Sequence, residues 1–170
     1  MKKILIYSLI IMGLLFTGCS DKENTNIIQK AKFEDIKVGS KLADFTIEDQ
    51  FDKKHSLTNK TKKVLFAFSK PMGHVMKVYM GVRDVDYLTS RDILFIADVS
   101  GMPKVIFNMF ALADMKESKY PMLLILEKEN AKMFRNENKK DFIMVLSLEN
   151  KTITNIEFVN SEEALKKAID

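Results

Sequence analysis

The chain has 170 residues, 46% of them hydrophobic and 29% charged, which suits one globular domain with an ordinary core. Its formal net charge of +4 falls to about +2 without Lys2 and Lys3, and no basic patch is interleaved with aromatic residues, so a nucleic-acid-binding function is excluded. Cys19 is the sole cysteine of the sequence. An intramolecular disulfide, a CxxC redox pair and a cysteine-rich zinc site are therefore excluded as well.

The N-terminus has the three-part pattern of an export signal. Lys2 and Lys3 form a basic start, residues 4–16 form an apolar run, and two small residues precede Cys19. Residues 15–19, Leu-Phe-Thr-Gly-Cys, resemble the bacterial lipobox. This resemblance implies cleavage after residue 18 and acylation of Cys19, with each buried methylene contributing about 0.8 kcal/mol to membrane attachment. An uncleaved membrane anchor and ordinary secretion are the alternatives.

The sequence then divides into three predicted parts. Residues 1–18 are the signal peptide, residues 19–35 are a polar lipidated tether, and residues 36–170 are the folded domain. We expect the protein to lie in the bacterial cell envelope, facing the periplasm. Ser20, which follows Cys19 where an aspartate would favour the inner membrane, favours the outer membrane under the sorting rule of enteric bacteria.

The folded part begins with a predicted β-hairpin and a buried strand. Apolar residues alternate on both sides of a polar turn at residues 49–54, which indicates two short strands. Residues 64–68 form a continuous apolar run, typical of a strand covered on both faces. From Gly73 the period becomes helical, and one predicted core-facing stripe comprises Val75, Val78, Tyr79, Val82 and Val85.

The remaining elements alternate between strands and helices. Residues 93–99 and 122–126 are predicted strands, and residues 142–148 with 152–159 form a second hairpin. The helix after Pro103 has a predicted core-facing side made of Val105, Ile106, Met109, Phe110 and residues 112–113. Asn160 is the predicted cap of a closing helix. This order predicts an α/β fold with a central mixed sheet flanked by helices and an N-terminal hairpin.

Three stretches resemble the redoxin branch of the thioredoxin-like proteins. They are residues 38–54, Val-Gly-Ser-Lys-Leu-Ala-Asp-Phe-Thr-Ile-Glu-Asp-Gln-Phe-Asp-Lys-Lys, residues 123–134, and the hairpin at 142–158. The stretch from the loop at residues 97–103 through the hairpin also resembles the exported YtfJ family. The resemblance implies a thioredoxin-like fold over about residues 36–169.

The chemistry of that family is missing from this sequence. Peroxiredoxins need a thiolate at the N-terminus of the first helix, where the helix field lowers its pKa. Residues 69–74, Ser-Lys-Pro-Met-Gly-His, contain no thiol, and Lys140 and Asp141 stand where a cis-proline is expected. We therefore expect a non-enzymatic, redox-inactive domain without a cofactor. It would bind or scaffold an envelope protein through a docking surface formed by Ser69, Lys70, Pro71 and Gly73.

Two other functions are weighed against this one. Thioether and imidazole groups suit Cu(I), so Met72, His74 and Met76 could make an envelope copper carrier. In a continuous helix, however, Met72 and Met76 share a face that His74 does not, and methionines commonly fill core gaps. A non-thiol enzyme using the same cleft is the third hypothesis, although no hydrolase or phosphate-binding motif is present. His55 is predicted to lie on the surface.

Overall fold

The computed structural model describes residues 27–28 and 35–170. The predicted signal peptide, Cys19 and most of the predicted tether lie outside these residues. The described strands form two sheets. A three-stranded antiparallel sheet has the order β1-β2-β3, with β1 at Ile27–Ile28, β2 at Phe45–Glu48 and β3 at Lys54–Ser56.

The larger sheet has five strands in the order β6-β5-β4-β7-β8. Its members are β4 (Lys63–Ala67), β5 (Ile93–Asp98), β6 (Leu123–Ile125), β7 (Ile143–Glu149) and β8 (Thr152–Val159). Strands β4, β5 and β6 run parallel, whereas β7 is antiparallel to both β4 and β8. The predicted mixed sheet is thereby confirmed, and the apolar run of β4 is buried on both sides as its composition indicated.

The helices are α1 (Lys70–Met80), α2 (Lys104–Ile106), α3 (Leu112–Lys116), α4 (Lys128–Lys132) and α5 (Glu162–Ile169). A π-helical turn at Phe107–Ala111 joins α2 directly to α3. We call residues 104–116, which include this turn, the segmented helix. Helix α1, the segmented helix and α5 pack on one face of the large sheet, and the small sheet with α4 covers the other face.

Helix α1 buries only part of the predicted stripe: Tyr79 is buried and Val75 packs against the core, whereas Val78 is exposed. The helix ends at Met80, with Gly81 as its C-cap, so Val82 and Val85 lie beyond it and are exposed. Its core-facing residues are Met72, Met76, Tyr79 and Met80. The long unbranched methionine side chains fill the space between helix and sheet that the shorter valines were predicted to occupy.

The far end of α1 is fixed to the segment after α5 by a tyrosine pair. The Tyr79 hydroxyl lies 2.8 Å from that of Tyr87 and donates to Asp170 Oδ1 at 3.2 Å. Burial raises the pKa of the Tyr79 phenol, and its hydrogen bond with Tyr87 raises it further. The hydrogen bond that Tyr87 donates holds the pKa of the Asp170 carboxyl below its usual range.

Helix α5 begins one residue later than predicted. Its N-cap is Ser161, whose hydroxyl accepts a hydrogen bond from the Ala164 amide at 3.2 Å. Asn160 is therefore not the cap. Both residue types favour this position, so composition alone could not separate the two neighbours.

The first hairpin ends in a turn at residues 49–53, which we call the hairpin tip. The buried Asp49 carboxylate accepts hydrogen bonds from the amides of Phe51 at 2.8 Å and Lys53 at 3.0 Å. It also lies 2.7 Å from Nε2 of His55, whose side chain is only 13% exposed. The predicted surface position of His55 is thus wrong, because its side chain, on β3, is held against the turn by Asp49.

Gln50 fixes the hairpin tip to the rest of the domain. Its buried side chain donates from Nε2 to the Tyr120 carbonyl at 2.9 Å and accepts at Oε1 from the Met122 amide at 2.8 Å. Longer contacts of 3.4 Å reach the carbonyls of Met115 and Ser118. The tip therefore lies against the end of the segmented helix and the chain that leads into β6.

Candidate functional site

A cleft of about 670 Å³ opens at the carboxyl ends of β4 and β5. Parallel strands commonly carry binding sites at this end, where the chain turns into helices. The N-terminal part of α1 forms one wall and the segmented helix forms the other. Much of the lining is apolar, including Phe68, Met102, Ile106, Phe110, Met115 and Met122.

The predicted docking residues lie at the α1 wall. Ser69, Lys70 and Gly73 line the cleft, and Pro71 is exposed in the same first turn of the helix. The Ser69 hydroxyl oxygen is buried and has no hydrogen-bond partner among the described residues. The junction between β4 and α1 thus brings the predicted residues together, because the strand ends where the helix begins.

The three predicted copper ligands are not brought together. Met72 and Met76 are buried in the core beneath α1, whereas His74 is exposed and lines the cleft. This is the arrangement expected from the helical spacing of about 100° per residue. Among the described residues, no group of three or more histidine, cysteine or acidic side chains is placed to hold a metal ion.

The floor of the cleft holds an ion pair that the sequence did not reveal. The Asp98 side chain is fully buried at the end of β5, and its Oδ2 pairs with the Arg135 guanidinium. Its Oδ1 accepts from the Ser100 amide at 2.9 Å and from the Ser100 hydroxyl at 2.7 Å. Both carboxylate oxygens are thus engaged, so this group serves to hold the floor rather than to abstract a proton.

Sequence reasoning missed this pair for a clear reason. Asp98 ends an apolar strand, where an acidic residue needs a partner if its side chain turns inward. Arg135 lies 37 positions further along and follows α4, so no local spacing connects the two residues. The guanidinium also lies 3.6 Å from Glu137, and its Nε is buried without a hydrogen-bond partner among the described residues.

The segmented helix exposes four large apolar side chains, two of which, Ile106 and Phe110, line the cleft. The four are Val105 (65% exposed), Ile106 (46%), Met109 (64%) and Phe110 (62%). We call these four residues the apolar stripe. The sequence predicted that they face the core, and this prediction is wrong. Leu112, which was also predicted to face the core, does pack against it, together with Phe107 and Met115.

The π-helical turn explains the error. In an uninterrupted α-helix, Val105, Met109 and Leu112 would lie on one face. At Phe107–Ala111 the backbone hydrogen bonds run from residue i to residue i+5, one residue further than in an α-helix. The extra residue rotates the side chains of α3 relative to those of α2. Leu112 therefore turns towards the sheet while Val105 and Met109 remain outside.

One ion pair connects the two walls of the cleft. The Lys77 ammonium of α1 lies 3.0 Å from Asp114 Oδ1 of α3, and both side chains are well exposed. Lys70 and His74 also line this α1 wall. The cleft thus combines a largely apolar lining with a polar rim that includes Lys70 and His74, an arrangement typical of surfaces that receive another molecule.

No protein-family model matches the chain, and no curated protein matches its sequence. Solved structures do match it. Peroxidoxin BcpB from Mycobacterium tuberculosis shares 15% identity over 78% of this chain and 94% of that chain, with a TM-score of 0.51. StoA from Bacillus subtilis shares 14% identity over 75% of this chain and 97% of that chain, with a TM-score of 0.52.

The fold is thioredoxin-like. A conserved protein of unknown function from Bacteroides fragilis, BF1870, has a comparable likeness, with 12% identity over 77% of this chain and 98% of that chain and a TM-score of 0.51. The predicted fold class is thereby confirmed. At such low identities the likeness concerns the fold alone.

The sequence lacks the cysteine pair of a dithiol enzyme, since Cys19 is its single cysteine and lies outside the described residues. The start of α1 presents serine, lysine, proline and glycine around the cleft. None of the helices in the described part of the chain is long and apolar enough to cross a membrane.

Proposed function

We propose that this chain is a lipid-anchored protein of the bacterial cell envelope whose thioredoxin-like domain is redox-inactive and binds a protein partner through the cleft. The observation that carries the proposal is the apolar stripe. Four large apolar side chains of the segmented helix are each at least 46% exposed, and two of them, Ile106 and Phe110, line the cleft. Contiguous exposed apolar surface is costly in water and marks interaction sites.

The proposed partner surface includes both walls. The docking residues Ser69, Lys70, Pro71 and Gly73 form the rim opposite the stripe, with Lys70 exposed to pair with an acidic group. An interface with an apolar centre and a charged rim is the common arrangement in protein complexes. The absence of a thiol at residues 69–74 leaves the cleft open for binding rather than for disulfide exchange.

The proposed anchor is the acylated Cys19. Its support is the lipobox resemblance at residues 15–19, and the attachment by several acyl chains would be stable where a single chain is marginal. The domain would face the periplasm, with the outer membrane favoured by Ser20. The copper hypothesis is not carried forward, because Met72 and Met76 lie in the core.

The binding proposal is tested by cross-linking the full chain in the envelope of its host. The stripe variant combines Met109→Ser and Phe110→Ser, and the matched control is Val82→Ser, which changes an apolar residue that is 83% exposed but lies outside the cleft. We expect the wild type and the control to capture the same partner, and the stripe variant to capture at least about tenfold less. Equal capture by all three proteins would refute the docking role of the stripe.

The anchor is tested separately by mass spectrometry of the mature N-terminus. We expect acyl groups on Cys19 and release of the protein from membranes in the Cys19→Ser variant. An unmodified Cys19, or a retained residue 18, would contradict the anchor without affecting the result for the cleft.

A further inference from the structure

The hairpin tip presents one exposed aromatic side chain on a rigid turn. Phe51 is 51% exposed, although the residues on both sides of it are held in place. Asp49 binds the Phe51 amide, and Gln50 is fixed by its contacts with the chain before β6. The Phe51 side chain is therefore presented outward by a turn whose backbone is fixed on both sides.

The exposed side chains beside Phe51 and on the segment that Gln50 contacts include more lysines than carboxylates. Lys53 and Lys54 follow Phe51, and Lys116 and Lys119 belong to the neighbouring segment that Gln50 contacts. The exposed carboxylates on these two segments are those of Asp52 and Glu117. Of the adjoining acidic residues, Asp49 is buried, Glu48 is half-buried, and Asp114 pairs with Lys77. An aromatic side chain with a surplus of nearby lysines is complementary to the interface of a bilayer that contains anionic lipids.

The direction of β1 places the predicted anchor on the side of the domain that carries the hairpin tip. Ile27 pairs with Thr46 and Ile28 with Phe45 in antiparallel register, so the chain enters β1 from the side of Glu48 and the hairpin tip. Residues 20–26 separate Cys19 from Ile27. The eight residue steps from Cys19 to Ile27 span at most about 29 Å when fully extended, which limits how far this side of the domain can lie from the acyl groups.

We propose that the hairpin tip contacts the lipid surface, with Phe51 inserted among the headgroups and Lys53 and Lys54 against anionic lipid. This inference rests on the proposed lipid anchor at Cys19. It assigns an orientation to the domain: the edge that carries β6 and the hairpin tip faces the bilayer. The β8 edge, at the opposite end of the strand order, faces away from it.

The absence of tryptophan from the sequence allows a direct test. The full lipidated chain carrying Phe51→Trp is reconstituted into vesicles of phosphatidylethanolamine and phosphatidylglycerol, with and without lipid brominated on the upper acyl chain. Interfacial side chains reach about 5–10 Å into the headgroup and acyl boundary, so we expect emission at shorter wavelength and quenching of about twofold or more.

The matched control is Val82→Trp in the same lipidated chain. Val82 is highly exposed and follows α1, whose last turn contacts Asp170 at the end of α5. We expect no quenching of this variant. Lys53→Glu and Lys54→Glu, added to Phe51→Trp, should reduce the quenching, and replacing phosphatidylglycerol with neutral lipid should do the same.

Each of the following results would contradict the inference, and each would do so for a different reason. Equal quenching of both tryptophan variants would mean that the domain has no fixed orientation on the bilayer. If Cys19 is acylated but the indole of Phe51→Trp is not quenched, the lipid anchor is correct and the hairpin tip does not touch lipid. A shift that appears only when envelope proteins are added would make the tip a protein contact. An unacylated Cys19 would overturn the anchor and this inference together.

Discussion

The two helices that form the cleft use their apolar residues in opposite ways. Helix α1 buries Met72, Met76 and Tyr79 against the sheet, whereas the segmented helix leaves Met109 and Phe110 in solvent. Both sequences contain apolar residues at helical spacing. Such spacing therefore predicts a helix, whereas packing and helix register decide which apolar side of the helix faces the core.

The largest expected difference in unfolding free energy is between alanine variants of two methionines, one on each helix. Met76→Ala removes a fully buried side chain and should lower the free energy of unfolding by about 2–5 kcal/mol, because a cavity remains. Met109→Ala, the matched change on the apolar stripe, should alter it by no more than about 0.5 kcal/mol. Urea denaturation of both variants measures the two values. Similar losses would mean that the helices do not differ as described.

The next largest loss of stability is expected when the ion pair between Asp98 and Arg135 on the cleft floor is removed. Asp98→Ala removes the partner of Arg135 and the acceptor of two Ser100 hydrogen bonds, and should cost about 2–3 kcal/mol. The control is Asp114→Ala, which removes an exposed ion pair with Lys77 and should cost about 0.2–1 kcal/mol. Thermal or urea unfolding compares them, and a smaller loss for Asp98→Ala than for the control would contradict the structural role of the floor.

The far end of α1 should show a small effect that depends on pH. The pKa of Asp170 is lowered in the fold, so its contribution to stability is present above the ordinary value of 3.8 and is lost as the pH falls through the lower folded value. Solvent screens this exposed carboxylate, so Asp170→Asn should cost less than about 1 kcal/mol near neutral pH.

Unfolding free energies of the wild type and Asp170→Asn, measured between about pH 2.5 and about pH 7, check this expectation. The two curves should converge at the acidic end. In a Tyr87→Phe background the Asp170→Asn change should cost less, because the strongest donor to the carboxylate is absent. A constant difference across the whole range would argue against the assigned hydrogen bond.

The smallest expected effect on stability is that of Phe110→Ser. This side chain is 62% exposed, so the free energy of unfolding should change by no more than about 0.5 kcal/mol. Partner capture should nevertheless fall, which distinguishes a docking residue from a packing residue. A loss of several kcal/mol would place Phe110 in the core and restore the face predicted from the sequence.

The sequence predicts the strands well because continuous apolar runs such as residues 64–68 leave few alternatives to a buried strand. It also locates Ser69, Lys70 and Gly73 at the cleft, since a strand that passes directly into a helix places the junction at the sheet edge. It cannot predict the Asp98–Arg135 pair, which joins residues from separate elements. The exposed stripe escapes prediction because periodicity assumes an uninterrupted α-helix.

The stripe owes its outward position to the π-helical turn at Phe107–Ala111, and such a turn has the length of an α-helical turn plus one inserted residue. Deleting one residue there would restore α-helical hydrogen bonding and rotate α2 by about 100° relative to α3. Ile106 would then leave the wall of the cleft without any substitution in the stripe itself. The exposure of this surface is therefore open to change by the gain or loss of a single codon, a much shorter evolutionary step than replacing four apolar residues.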